Sequence, residues 1–187
     1  INHPDPDVDL CCMNITPELE LLSAQGMQPF IIYLDNKVLP DDTFVKDLLA
    51  LEEVIMVGYP IGIWDKVNNM PILRKGITAT HPGLDYEGKK MFLIDIAIFP
   101  GSSGSPVLLV NQGSYPTRKG IIIGSRAKLL GIVYASIDHS QHGEFEIINV
   151  PTKQIPVPKM SLSTNLGCVI KAERIAELED VVNQIYP

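Results

Sequence analysis

From residue 53 to residue 170 the chain is a series of short apolar runs, each stopped by glycine, proline or a polar turn: 53–62, 72–80, 91–98, 107–110, 129–136 and 165–170. Runs this short, rich in Val, Ile and Leu, read as strands rather than as core helices. Strands punctuated at such intervals predict a closed antiparallel barrel, which removes free sheet edges. The fold class expected is therefore mainly all-β. With 187 residues, 45% of them hydrophobic, the chain can bury a substantial core as one domain, with room for two lobes.

Two of these runs flank the sequence Pro100-Gly101-Ser102-Ser103-Gly104-Ser105-Pro106. Glycines at 101 and 104 let the backbone bend tightly around Ser103. Its hydroxyl then projects, while neighbouring N–H groups converge on one point and can hold an oxyanion. Such a turn suits acyl transfer. An ordinary Gly/Ser hairpin loop has the same composition, so the flanking context matters. The Gly-x-Ser-x-Gly elbow of α/β-hydrolases would require glycine at 105, where this chain has serine.

Gly101-Ser102-Ser103-Gly104-Ser105-Pro106 resembles the Gly-x-Ser-Gly-[Gly/Ser]-Pro signature of trypsin-like (chymotrypsin-fold) serine peptidases. The resemblance implies a fold of two antiparallel β-barrels, with Ser103 as nucleophile and the N–H groups of Gly101 and Ser103 as the oxyanion hole. It extends over most of the chain and is closest to the HtrA-like, bacterial branch. Residues 53–62, ending Gly58-Tyr59-Pro60-Ile61-Gly62, are similar to the run that opens the second barrel there, and 72–80 to the strand that follows. Asp9-Leu10-Cys11-Cys12-Met13 resembles the family's run around the triad aspartate and makes Asp9 the implied orienter, ahead of Asp7; Asp5 and Asp7 read as solvated turn residues. Residues 129–136 resemble the strand that pairs with substrate backbone, placing Tyr134, Ala135 and Ser136 at the substrate, and 165–170 resemble the last strand, placing Cys168 at the pocket wall. Counting back six from Ser103, the position that selects basic side chains in trypsin falls on Ala97, so a small or medium apolar residue is expected at the cleavage site. Asp95 has a structural role by this alignment.

The family's histidine should lie well upstream of its aspartate, yet only eight residues precede Asp9, and His3 belongs to the same loop. The expectation is a fragment: residues 1–52 as the remainder of a first barrel plus the connection, residues 53–187 as the second barrel and a closing helix, with the general base upstream of Ile1. Ser102 stands where zymogen-type relatives carry the aspartate that receives a freed amino terminus, which argues against that activation. A catalytically silent peptide- or protein-binding module is the alternative function. An esterase is a more distant one, since His142, the last histidine, lacks an acid partner in the expected order.

Helices are expected after Thr16-Pro17, stopping at Gly26, after Asp41-Asp42-Thr43, and from Lys171 onward, with apolar Ala172, Ile175, Leu178, Val182 and Ile185 at helical spacing. Strands are expected at 10–13 and 30–34. Cys11, Cys12 and Cys168 cannot form a disulfide framework; buried inert thiols in a reducing, cytoplasmic compartment fit them better. His139 and His142 with Glu144 and Glu146 read as a solvated hairpin rather than a metal site. No metal or other cofactor is implied. A net charge of −7 without a cationic cluster argues against a nucleic-acid surface, and no apolar run nears the ~18 residues of a membrane span; the partner the resemblance implies is a peptide or protein substrate.

Overall fold

A computed structural model describes residues 1–140 and 161–186, with side chains left aside at 138–140 and 161–163. The hairpin and metal readings at His139, His142, Glu144 and Glu146 lie outside these described side chains. In chain order the elements are α1 (Thr16–Ala24), α2 (Asp42–Asp47), β1 (Glu53–Gly58), β2 (Ile72–Thr78), β3 (Met91–Asp95), β4 (Pro106–Asn111), β5 (Ser114–Thr117), β6 (Gly120–Ile123), β7 (Arg126–Ser140), β8 (Ser161–Lys171) and α3 (Ala172–Ile185), with short 3-10 turns at Asn36–Val38 and Pro60–Gly62.

Six strands close into an antiparallel barrel in the order β1-β2-β3-β8-β7-β4, and pairing of Ile55 with Leu108 and Met56 with Val107 returns β4 to β1. The period-2 pattern of β1 explains its setting: Val54 and Met56 point inward and are 1% exposed, while Glu53 faces solvent. These side chains meet Phe92, Ile94, Ile96, Ile98, Val107, Leu109, Leu130, Val133 and Val169 in one core, which Leu48 joins from the approach to β1. The mainly β, closed-barrel architecture expected from the short punctuated runs is the one that forms. The hairpin β5–β6 stands apart from the barrel. Its sequence does not announce it, because Pro116 and the exposed Ile121-Ile122-Ile123 give no alternating pattern.

The first fifty residues differ from expectation. The strand expected at 10–13 is reduced to a single bridge between Asn2 and Cys11, and the one expected at 30–34 does not form. Phe30 is 89% exposed and Ile32 73%. β-forming residues make a strand only against a ladder partner, and none of the described residues supplies one. Residues 1–52 therefore contribute no barrel strand among the described residues. α1 begins at Thr16, one residue earlier than a Thr16 cap would place it, and Asn14 Oδ1 accepts from the Thr16 N–H at 3.0 Å. Gly26, at φ +76°, ends it with Met27 N donating to the Leu22 carbonyl. Asp41 caps α2 as expected, accepting from the Phe44 N–H at 2.7 Å. α3 buries Ala172 and Leu178. Among the described residues no helix is long and apolar enough to cross a membrane.

Candidate active site

The turn between β3 and β4 is built as its glycines require. Gly101 and Gly104 take φ of +88° and +84°, and between them Ser102 is buried, its N–H donating to the Phe99 carbonyl at 2.9 Å and its Oγ accepting from the Phe99 N–H at 3.3 Å. Ser103 is exposed at the apex. The turn leans on β7: Gly104 N donates to the Val133 carbonyl at 2.7 Å, and Val133 N to the Ser105 carbonyl at 3.0 Å. Among the described residues, the N–H groups of Gly101 and Ser103 have no acceptor. The turn thus leaves two N–H donors without a partner, those of Gly101 and of Ser103 itself, close in sequence to an exposed hydroxyl; an oxyanion hole for a substrate carbonyl is built from such donors.

β7 contributes the next component. Its register against β8 shifts between Val133 and Ala135, so Tyr134 is the extra residue of a β-bulge. The Tyr134 carbonyl accepts from Ser103 Oγ at 3.1 Å. Tyr134 also lines a cleft of about 570 Å³, together with Asp5, Asp9, Met91 and Arg174. Asp9 is exposed there and Ser103 is not among the residues lining that cleft, so Tyr134 is what the candidate orienter and the candidate nucleophile have in common. Burial, followed by the neighbouring Cys168, Asp9 and Glu87, pushes the Tyr134 phenol up, and it donates to Met91 Sδ at 3.5 Å. Cys168 is buried, and that burial pushes its thiol up against the opposing hydrogen bond from Tyr134. A thiol held protonated is a poor nucleophile. Ala97, Ala135 and Ser136 are half-buried, Ala97 beyond the end of β3 and the other two along β7.

The two histidines with described side chains are engaged elsewhere. His3 is buried, its Nδ1 accepting from the Asp5 N–H at 3.0 Å, so that Nε2 carries the proton toward the Arg174 carbonyl at 3.2 Å. His81 Nδ1 accepts from the Gly83 N–H at 2.9 Å and Nε2 faces the Leu48 carbonyl at 3.1 Å. Both imidazoles are fixed by backbone on each side. Among the described residues no three His, Cys, Asp or Glu side chains gather as a metal site requires. The expectation of buried thiols holds for Cys168 only: Cys11 is exposed and Cys12 half-buried, because the segment carrying them pairs at one bridge instead of entering a sheet.

No family model matches this sequence. No solved structure matches it. Among curated proteins, a gamma-glutamyl phosphate reductase of Caldicellulosiruptor saccharolyticus is 26% identical over 141 residues, which is 73% of this chain and 32% of that protein. The chain thus spans about a third of that relative's length. The site's outlying components, the bulge at Tyr134 and the loop 59–62 beside Gly101, are not evident from the sequence. A bulge changes register without changing composition, so no local signal announces it.

Proposed function

We propose that this chain belongs to a trypsin-like serine endopeptidase, in which Ser103 attacks the scissile carbonyl. The N–H groups of Gly101 and Ser103 hold the oxyanion, and Asp9 orients a histidine supplied by a segment upstream of Ile1. The observation that carries the reading is the pair of unspent N–H donors beside the exposed Ser103 hydroxyl. The barrel agrees with the fold the motif implies, and Tyr134 links the two candidates, its carbonyl accepting from Ser103 Oγ while it lines the same cleft as Asp9. Histidine enters between them as general base, taking the Ser103 proton and returning it to the leaving amine. Substrate runs along Tyr134, Ala135 and Ser136. With Ala97 and Cys168 near the pocket and no carboxylate at 97, small or medium apolar residues precede the cleaved bond; a peptide-library profile dominated by Lys or Arg would overturn this specificity.

The second reading, a silent trypsin-like module that binds peptides or proteins, is favoured by the engagement of His3 and His81 with backbone groups away from Ser103. One experiment separates the two. The protein expressed from its gene is weighed intact before and after a fluorophosphonate probe, and the modified peptide is sequenced by fragmentation. An adduct on Ser103, absent in Ser103→Ala, is the expected result. No adduct on a folded protein whose mass exceeds 20.6 kDa would leave the binding module.

A further inference from the structure

Beside the Ser103 turn lies a backbone conformation that the local sequence does not favour. Ile61, between Pro60 and Gly62, sits at φ 55° and ψ 25°. That left-handed region crowds the Cβ of any L-residue, and a β-branched side chain most of all. Its side chain is 61% exposed, so burial does not compensate the crowding. What the conformation achieves is visible at the backbone: the Ile61 N–H donates to the Pro100 carbonyl at 2.7 Å. The same loop closes over the next residue, since a Cβ built on Gly101 would stand 3.0 Å from the Tyr59 carbonyl oxygen and 3.4 Å from Ile61 N. Strain held in place by its surroundings is a pointer to function when it sits at a candidate site.

The Pro100 carbonyl and the Gly101 N–H belong to one peptide plane, and a trans peptide points them in opposite directions. Fixing the carbonyl therefore fixes the N–H. We propose that Ile61 is a positioning residue for the oxyanion hole: by holding the Pro100 carbonyl it aims the Gly101 N–H at the point beside Ser103 Oγ where negative charge develops. This rests on the peptidase reading for its catalytic consequence, though the geometric claim stands without it. A peptide plane free to rotate would point its carbonyl oxygen into the hole for part of the time and repel the oxyanion. The loop 59–62, in the connection between β1 and β2, thereby becomes part of the site.

The test removes the donor while keeping the side chain. Ile61 is replaced by its α-hydroxy acid through nonsense suppression, turning the 60–61 amide into an ester, and Ile61→Gly serves as the control that keeps the N–H and relieves the strained φ. Two readouts are taken on the full-length protein. The first is the amide resonance of Gly101, together with the scalar coupling across the hydrogen bond from Ile61 nitrogen to Pro100 carbonyl carbon. Expected are the coupling in the wild-type protein and in Ile61→Gly, and a shifted or doubled Gly101 resonance in the ester. An absent wild-type coupling, or an unmoved Gly101 resonance in a folded ester variant, overturns the proposal. The second readout is hydrolysis: loss of one aligned donor should lower kcat about 100-fold in the ester with KM within twofold. An ester variant with wild-type kcat overturns the positioning role while the peptidase stands. A wild-type protein that neither hydrolyses peptides nor takes the fluorophosphonate overturns the peptidase, and the resonances alone then decide the geometry. Should the ester variant fail to fold, the wild-type coupling still decides whether the bond exists.

Discussion

At the scale of the residue, Gly101 shows most directly how the turn depends on its composition. Its φ of +88° is one that L side chains rarely adopt, and the Tyr59 carbonyl, 3.0 Å from a would-be Cβ, would have to give by a few tenths of an ångström. Gly101→Ala should cost about 1–2 kcal/mol from the left-handed backbone alone, which for a chain of this length is a fall in melting temperature of roughly 2–8 °C. A variant as stable as wild type by thermal denaturation would show that the turn rearranges cheaply. Cysteine chemistry divides along the same scale. Cys11 is exposed and Cys168 buried with its thiol pushed up, so iodoacetamide at neutral pH should modify Cys11 within minutes and reach Cys168 only after unfolding. Peptide mapping along a time course reads this directly, and early labelling of Cys168 would contradict its placement behind Tyr134.

Between elements, the junction that carries the chain from α2 into the barrel depends on one buried ion pair. Glu52, 3% exposed, accepts from Arg126 at the start of β7 at 2.7 Å, and its other oxygen accepts from the Leu49 N–H at 2.9 Å. Arg126 also reaches Asn111 on β4 and lies 4.2 Å from the Tyr115 ring centroid on β5. One side chain thus ties the approach segment, two barrel strands and the separate hairpin. Removing one partner leaves the other charge desolvated, so Glu52→Ala should lose about 3–5 kcal/mol. Replacing both, as Glu52→Leu with Arg126→Met, should recover most of it, apart from the orphaned Leu49 N–H. Urea midpoints of wild type and the two variants measure the difference; a double variant as weak as Glu52→Ala would mean the pair matters through more than its charge.

For the whole molecule, the long-range tie is between the amino-terminal loop and the closing helix. Arg174 on α3 bonds both Asp5 and Glu177, and His3 is inserted against the Arg174 carbonyl. The Asp5 carboxyl is held below its usual 3.8, first by the Asp7 N–H and then, against burial, by the Arg174 guanidinium and His3. A carboxylate whose folded pKa is lowered stabilises the folded state in full above the unfolded value and loses that contribution as pH falls through the folded one. The loop should accordingly loosen from α3 below about pH 3.8. Amide exchange of residues 3–11 followed down the pH scale tests it: Asp5→Asn should exchange faster already at neutral pH and lose the acid dependence. Because Asp9 lies on this loop, the same docking brings the candidate orienter to the cleft it shares with Tyr134.

What the sequence determined by itself is the local part. Short apolar runs bounded by Gly and Pro dictate strands and a closed sheet, and Gly101 and Gly104 dictate the bend around Ser103, because backbone sterics act within a few residues. The Asp41 cap and the apolar spacing of α3 were legible for the same reason. Pairing was not. Leu10–Met13 and Phe30–Leu34 carry strand residues as good as those of β1, yet a strand exists only where a second one offers its hydrogen bonds, and composition does not say which partners are present. The bulge that turns the Tyr134 carbonyl to Ser103, the left-handed Ile61 clamped on Pro100, and the burial of His3 against α3 each join residues distant in the chain. Only the closed barrel, by fixing where those segments meet, decided them.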